Sequence, residues 1–115
     1  MANTILELTK KANVTPSLHN EAGDKLAWAE ARTLLSAVAT WTPENKPVVA
    51  TGAKNADDTY TVTPVGPGTY KVTCSVKTKD PVTQAESTFS AEMTFEIMEI
   101  FHPTGVRLEV VLSDI

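Results

Sequence analysis

The stretch "TYKVTCSVKT", residues 69–78, decides the fold. Tyr70, Val72, Cys74 and Val76 alternate with Lys71, Thr73, Ser75 and Lys77, and a period of two residues puts the first set on a dry face and the second on a wet one, as in an antiparallel strand. Downstream, "STFSAEMTFEIMEI", residues 87–100, sets Phe89, Ala91, Met93, Phe95 and Ile97 against Ser90, Glu92, Thr94 and Glu96. It is long enough for a helix, but the period is that of a strand. "GVRLEVVLSDI", residues 105–115, repeats the device with Val106, Leu108, Val110 and Leu112 facing inward and Arg107, Glu109 and Ser113 outward. The pattern predicts a third long strand.

The connections fit these strands. "VGPGTY", residues 65–70, has the Gly-Pro-Gly composition of a reversal and predicts a hairpin between residues 60–65 and the strand from Thr69. "TKDPVTQAES" is a polar link, and Pro103 and Gly105 in "FHPTGV" mark a bend before the last strand. "TILELT" and "KANVTPSLHN" read as shorter strands, with Pro16 at an edge or bulge. One stretch differs. "DKLAWAEARTLLSAV", residues 24–38, is rich in helix formers, and Asp24 is placed to cap a short helix or loop that leads into a strand at Trp41.

The fold expected is therefore all-β: an antiparallel β-sandwich of about seven to eight strands with at most one short helix. The 115 residues suit a single domain over 1–115, with residues 1–11 and 105–115 as extended terminal strands. The expected core comprises Trp41, Tyr70, Val72, Cys74, Val76, Phe89 and Phe95.

Chemistry is sparse. A net charge of −4 provides no positive field for nucleic acid or anionic lipid. Cys74 is the single cysteine, so no disulfide closes within one chain. His19 and His102 are far apart, and neither lies in a zinc spacing. Asn55, Asp57 and Asp58 lack the regular alternation of a calcium loop and suit a hairpin tip. Gly66 and Gly68 lack the Lys-Ser/Thr of a phosphate loop. Ser36, Ser75, Ser87 and Ser90 lie in no nucleophile elbow. Glu92 and Glu96 share a strand face on which solvation accounts for them. No catalytic, cofactor-binding or metal site is expected, nor enzyme activity. "MANTILELTKK" shows neither a basic leader nor an unbroken apolar run, so the expectation is a product that stays where it is made. Asn13-Val14-Thr15 matches a glycosylation tripeptide, a coincidence without export.

Trp41, Pro47-Val48-Val49-Ala50-Thr51, Tyr60-Thr61-Val62 and Pro67-Gly68-Thr69-Tyr70-Lys71-Val72-Thr73 together resemble the bacterial immunoglobulin-like domains. In these, a Trp ending a strand precedes an Asn-Pro-x-Val-Ala-Thr segment and a Gly-Thr-x-x-Val-Thr strand. The resemblance covers residues 40–76. Departures are a longer segment between Gly23 and Trp41, Lys46 inserted between Asn45 and Pro47, and the added segment after His102.

Similar domains occur on the virions of tailed bacteriophages, and the resemblance implies a structural protein made in the host cytoplasm and carried on the capsid surface. Decoration or cementing of the capsid is the leading expectation. A tail or other virion component, or an adhesion module cut from a bacterial surface protein, is the alternative. The implied partners are the major capsid protein or other virion proteins, in a homo-oligomer or multi-copy assembly, with no nucleic acid, membrane or cofactor. The ends are the expected contacts: Ile5, Leu6 and Leu8 at one, Val110, Val111 and Leu112 at the other. Whether the last strand closes this protein's own sheet or a neighbour's is open at this point.

Overall fold

The computed structural model describes residues 3–115. In chain order the elements are β1 (Thr4–Glu7), β2 (Ala12–Val14), β3 (Leu18–His19), β4 (Lys25–Leu26), α1 (Trp28–Leu34), β5 (Val38–Pro43), β6 (Ala50–Lys54), β7 (Tyr60–Pro64), β8 (Gly68–Lys79) and β9 (Glu86–Met98). The fold is all-β with one short helix, as the alternation predicts. A four-stranded sheet of order β1-β9-β8-β5 faces a three-stranded sheet of order β2-β7-β6, and β3 and β4 form a small hairpin.

The long strands at residues 69–78 and 87–100 form one antiparallel hairpin, in register from Gly68↔Ile97 to Lys79↔Glu86. Its turn is built by Asp80, whose Oδ1 accepts from the amides of Val82 and Thr83 at 2.8 and 2.9 Å. Between the sheets lies a core of Leu6, Ala50, Tyr60, Val62, Tyr70, Val72, Phe95 and Ile97. The hairpin is longer than the facing sheet, and a second cluster covers β5 and β8 beyond it: Trp28 and Ala31 of α1 with Ala37, Ala39 and Val76. Trp41 and Cys74 are only partly buried. Trp41 packs against both clusters, and Cys74 against the second.

Several expectations are corrected. Pairing is not antiparallel throughout, because β1 runs parallel to β9 with Leu6 opposite Ile97. Residues 60–65 and β8 form no hairpin: β7 pairs with β2 and β6, so residues 65–67 carry the chain from one sheet to the other. The amides of Val65 and Gly66 both donate to the Val49 carbonyl. A side chain at Gly66 would stand 2.7 Å from the Val48 carbonyl oxygen, so close backbone packing, not a tight reversal, is what the glycine serves. Val48 and Val49 lie in a turn, and the strand starts at Ala50.

Asp24 caps no helix. The residue before α1 is Ala27, without a side-chain cap, and the Asp24 amide instead donates to Asn20 Oδ1 in the β3–β4 turn. Phe89 is not core. It is 54% exposed, because the facing sheet ends short of it. The strand expected over residues 105–115 does not form, and residues 99–115 carry no regular structure and are exposed throughout. They therefore do not close this protein's own sheet. With this arm the molecule measures 86 × 32 × 22 Å and has a radius of gyration of 20.9 Å, against about 13 Å for a compact chain of this length.

Candidate functional site

The arm carries a run of exposed apolar side chains. Val106, Leu108, Val110, Val111, Leu112 and Ile115 are all largely exposed, Leu108 at 92% and Val111 at 94%. Globular surfaces do carry scattered apolar side chains, but a contiguous strand-patterned run without cover marks an interaction surface. The root of the arm is held where His102 Nε2 contacts Glu7 Oε1 on β1. Of the expected contact residues, Val110, Val111 and Leu112 lie on the arm. Ile5 is exposed on β1, Leu8 is half-buried against the core, and Leu6 is 7% exposed within it. Leu6 is thus a core residue and not a contact, because β1 is a strand of the main sheet.

A second open feature lies along β9. Sheet order places β9 between β8 and β1, but β1 covers only Phe95 to Met98. Among the described residues no strand pairs with the outer side of residues 86–94. Beside this edge the sheet face opens into two adjoining cavities of about 330 and 610 Å³. Leu18, His19 and Phe89 line both, with Trp41, Cys74 and Met93 on the first and Leu26 and Leu35 on the second. Burial raises the Cys74 thiol pKa above its ordinary value, which keeps it protonated and a poor nucleophile at neutral pH.

The carboxylates of the β6–β7 tip are committed to structure. At the tip between β6 and β7, Asp58 Oδ2 accepts from the Ala39 amide at 3.2 Å and Oδ1 lies 3.1 Å from Lys54 Nζ. Asp57 Oδ1 accepts from both the hydroxyl and the amide of Thr59, and the hydroxyl bond is the larger cause of its lowered carboxyl pKa. Among the described residues no three His, Cys, Asp or Glu side chains stand close enough to hold a metal ion.

One pair escapes sequence reasoning. Ser17 Oγ and His19 Nε2 are 3.3 Å apart, with Ser17 just before the two-residue strand β3 and His19 within it. The spacing Ser-x-His was the available signal. No carboxylate orients this imidazole among the described residues, and the nearby Asp24 is bonded to Asn20, so the pair lacks the third member of a triad.

Comparison of the chain with protein-family models, with curated proteins and with solved structures found no match.

Proposed function

We propose that this protein is a non-enzymatic structural subunit of a tailed-bacteriophage virion, in first place a capsid decoration or cement protein, and that it attaches through its arm. The observation that carries the attachment is the arm itself, a strand-patterned segment displayed outside a folded sandwich. The placement on a virion rests on the resemblance of residues 40–76 to immunoglobulin-like domains. The partners are the major capsid protein or other virion proteins and further copies of the chain.

Magnitudes show what kind of surface the arm needs. Burying Val106, Leu108, Val110 and Leu112 is worth about 1.5–3 kcal/mol each, or roughly 6–12 in total. Fixing the backbone of residues 106–112 costs about 1–2 kcal/mol per residue, roughly 7–14 in total. The two nearly cancel, so apolar contact with a flat patch would bind weakly. A sheet edge adds backbone hydrogen bonds at about 1 kcal/mol each and tips the balance, which favours strand addition.

The test is co-sedimentation of the purified full chain with intact capsids of its parent phage. The chain is expected in mass spectra of the native particle, and Leu108→Lys/Val110→Lys is expected to lower capsid binding at least tenfold. Absence from purified particles rejects the virion reading. Unchanged binding of the double variant rejects attachment through the arm.

A further inference from the structure

We propose that the arm of one copy docks as an added strand on the open edge of β9 in a second copy, covering Phe89. This rests on the arm reading above and names its recipient.

The free edges of this fold are not equivalent. β1 is four residues long and β2 three, and β6 is a five-residue strand with Gly52 at its middle. On β5 the Ala39 amide already donates to the Asp58 carboxylate, and the strand ends at Pro43. The open side of β9 is longer, and between Glu86 and Glu92 it presents Ser87, Thr88, Phe89, Ser90 and Ala91 without the Lys or Pro that commonly protects an edge. It is also flanked by an apolar recess, with Phe89 at the seam of its two cavities.

Arm and edge match by face. With Leu108 beside Phe89, Val106 and Val110 fall beside Ser87 and Ala91, and Arg107 and Glu109 beside Thr88 and Ser90, whichever direction the added strand runs. Apolar side chains then lie on the recess side and charged ones on the wet side. Glu86 and Glu92 lie on that wet face, each already beside a lysine, Lys77 and Lys71, so the match is carried by the apolar side.

In the register with Leu108 beside Phe89, the chain's own arm does not reach this place while its root is held. Glu7, which His102 contacts, pairs with Met98. Phe89 is about 30 Å along β9 from that point at 3.3 Å per residue, whereas the six residues from His102 to Leu108 span about 20 Å. The chain's own arm is moreover exposed along its whole length and leaves this edge open, so the partner that fits is a second copy, whose edge is identical and whose arm is equally free.

Sedimentation velocity on the full chain tests this through complementation. The wild-type chain is expected to associate in a concentration-dependent way. Phe89→Lys, which blocks the edge, and Leu108→Lys/Val110→Lys, which blocks the arm, are each expected to weaken association at least tenfold with unchanged circular dichroism and Tm, since all three side chains are exposed. An equimolar mixture of the two variants is expected to restore a one-to-one dimer, because one supplies the arm and the other the edge. A wild-type chain that stays monomeric at every concentration overturns the proposal, as does normal association of Phe89→Lys or a mixture that stays monomeric. Loss of capsid binding in the arm variant together with unchanged self-association removes the recipient and leaves the arm reading standing. Complementation by a chain absent from particles does the reverse.

Discussion

The Trp41 indole Nε1 donates a 2.7 Å hydrogen bond to the Asp58 carbonyl, tying β5 of one sheet to the β6–β7 tip of the other. Trp28 on α1 does the same one residue earlier, with Nε1 2.7 Å from the Asp57 carbonyl. Two indoles thus hold consecutive carbonyls of one turn and fasten the helix and the main sheet to it. Trp41→Phe keeps the ring packing and leaves Asp58 without its donor, so it is expected to cost about 1–3 kcal/mol in urea unfolding. Trp41→Ala, which also opens a void between the two clusters, is expected to cost about 3–5 kcal/mol. Because both indoles restrain one turn, Trp28→Phe/Trp41→Phe should cost less than the sum of its parts.

Tyr60 bends over Gly52. A side-chain carbon at Gly52 would sit 2.0 Å from the Tyr60 hydroxyl and 2.4 Å from its ring. The ring cannot easily swing away, since it stacks on Trp41 with centroids 5.2 Å apart. Gly52→Ala is therefore expected to destabilise the domain by about 1–3 kcal/mol or more. Gly105→Ala, with open space around it, is the control and should leave the unfolding midpoint where it is.

These contacts show what alternation conveys and what it does not. Tyr70, Val72, Val76 and Phe95 were legible as core because a strand buried on one face writes its orientation every second residue. Phe89 obeys the same rule, yet it is exposed, because periodicity reports which way a side chain points and not how far the opposite sheet extends. Residues 105–115 carry a strand's pattern for the same reason, without any signal for which sheet they join. The crossing at residues 65–67 was hidden because a Gly-Pro-Gly link suits a sheet-to-sheet passage as well as a hairpin. The tryptophan bonds to residues 57 and 58 go to backbone carbonyls, which no residue pattern marks. The open edge of β9 was equally silent, since it depends on β1 ending its coverage at Phe95.

Stability should fall at both ends of the pH scale. Carboxyl pKa values are lowered at Asp57 by the Thr59 hydroxyl, at Asp80 by the Thr83 and Val82 amides, at Glu44 by the Lys71 amide and at Glu86 by Lys77. A lowered pKa in the fold contributes stability above the unfolded value, near about 4, and loses it as pH falls through the folded one. Burial raises the phenol pKa values of Tyr60 and Tyr70. Their contribution is present below about 10 and is lost as pH rises through the folded values. Tm measured against pH is expected to hold level between these limits and to drop outside them, with Asp80→Asn flattening the acid limb.

The two terminal segments should respond oppositely to removal, although both read as extended ends. Residues 106–115 touch no core, so deleting them is expected to leave Tm and the urea midpoint unchanged. Leu6 is 7% exposed and belongs to the central cluster with Phe95 and Ile97. Leu6→Ala is accordingly expected to cost about 2–5 kcal/mol. Deleting Met1 to Leu8 removes β1 and Leu6 together and is expected to unfold the domain, because the parallel pairing from Thr4↔Phe95 to Glu7↔Met98 goes with it. Thermal melts and urea titrations of the three variants check this. A fall in Tm on removing residues 106–115 would mean that the arm packs on the body in solution and would count against its role as a free connector. Tolerance of Leu6→Ala would mean that β1 is an attachment strand and not part of the core.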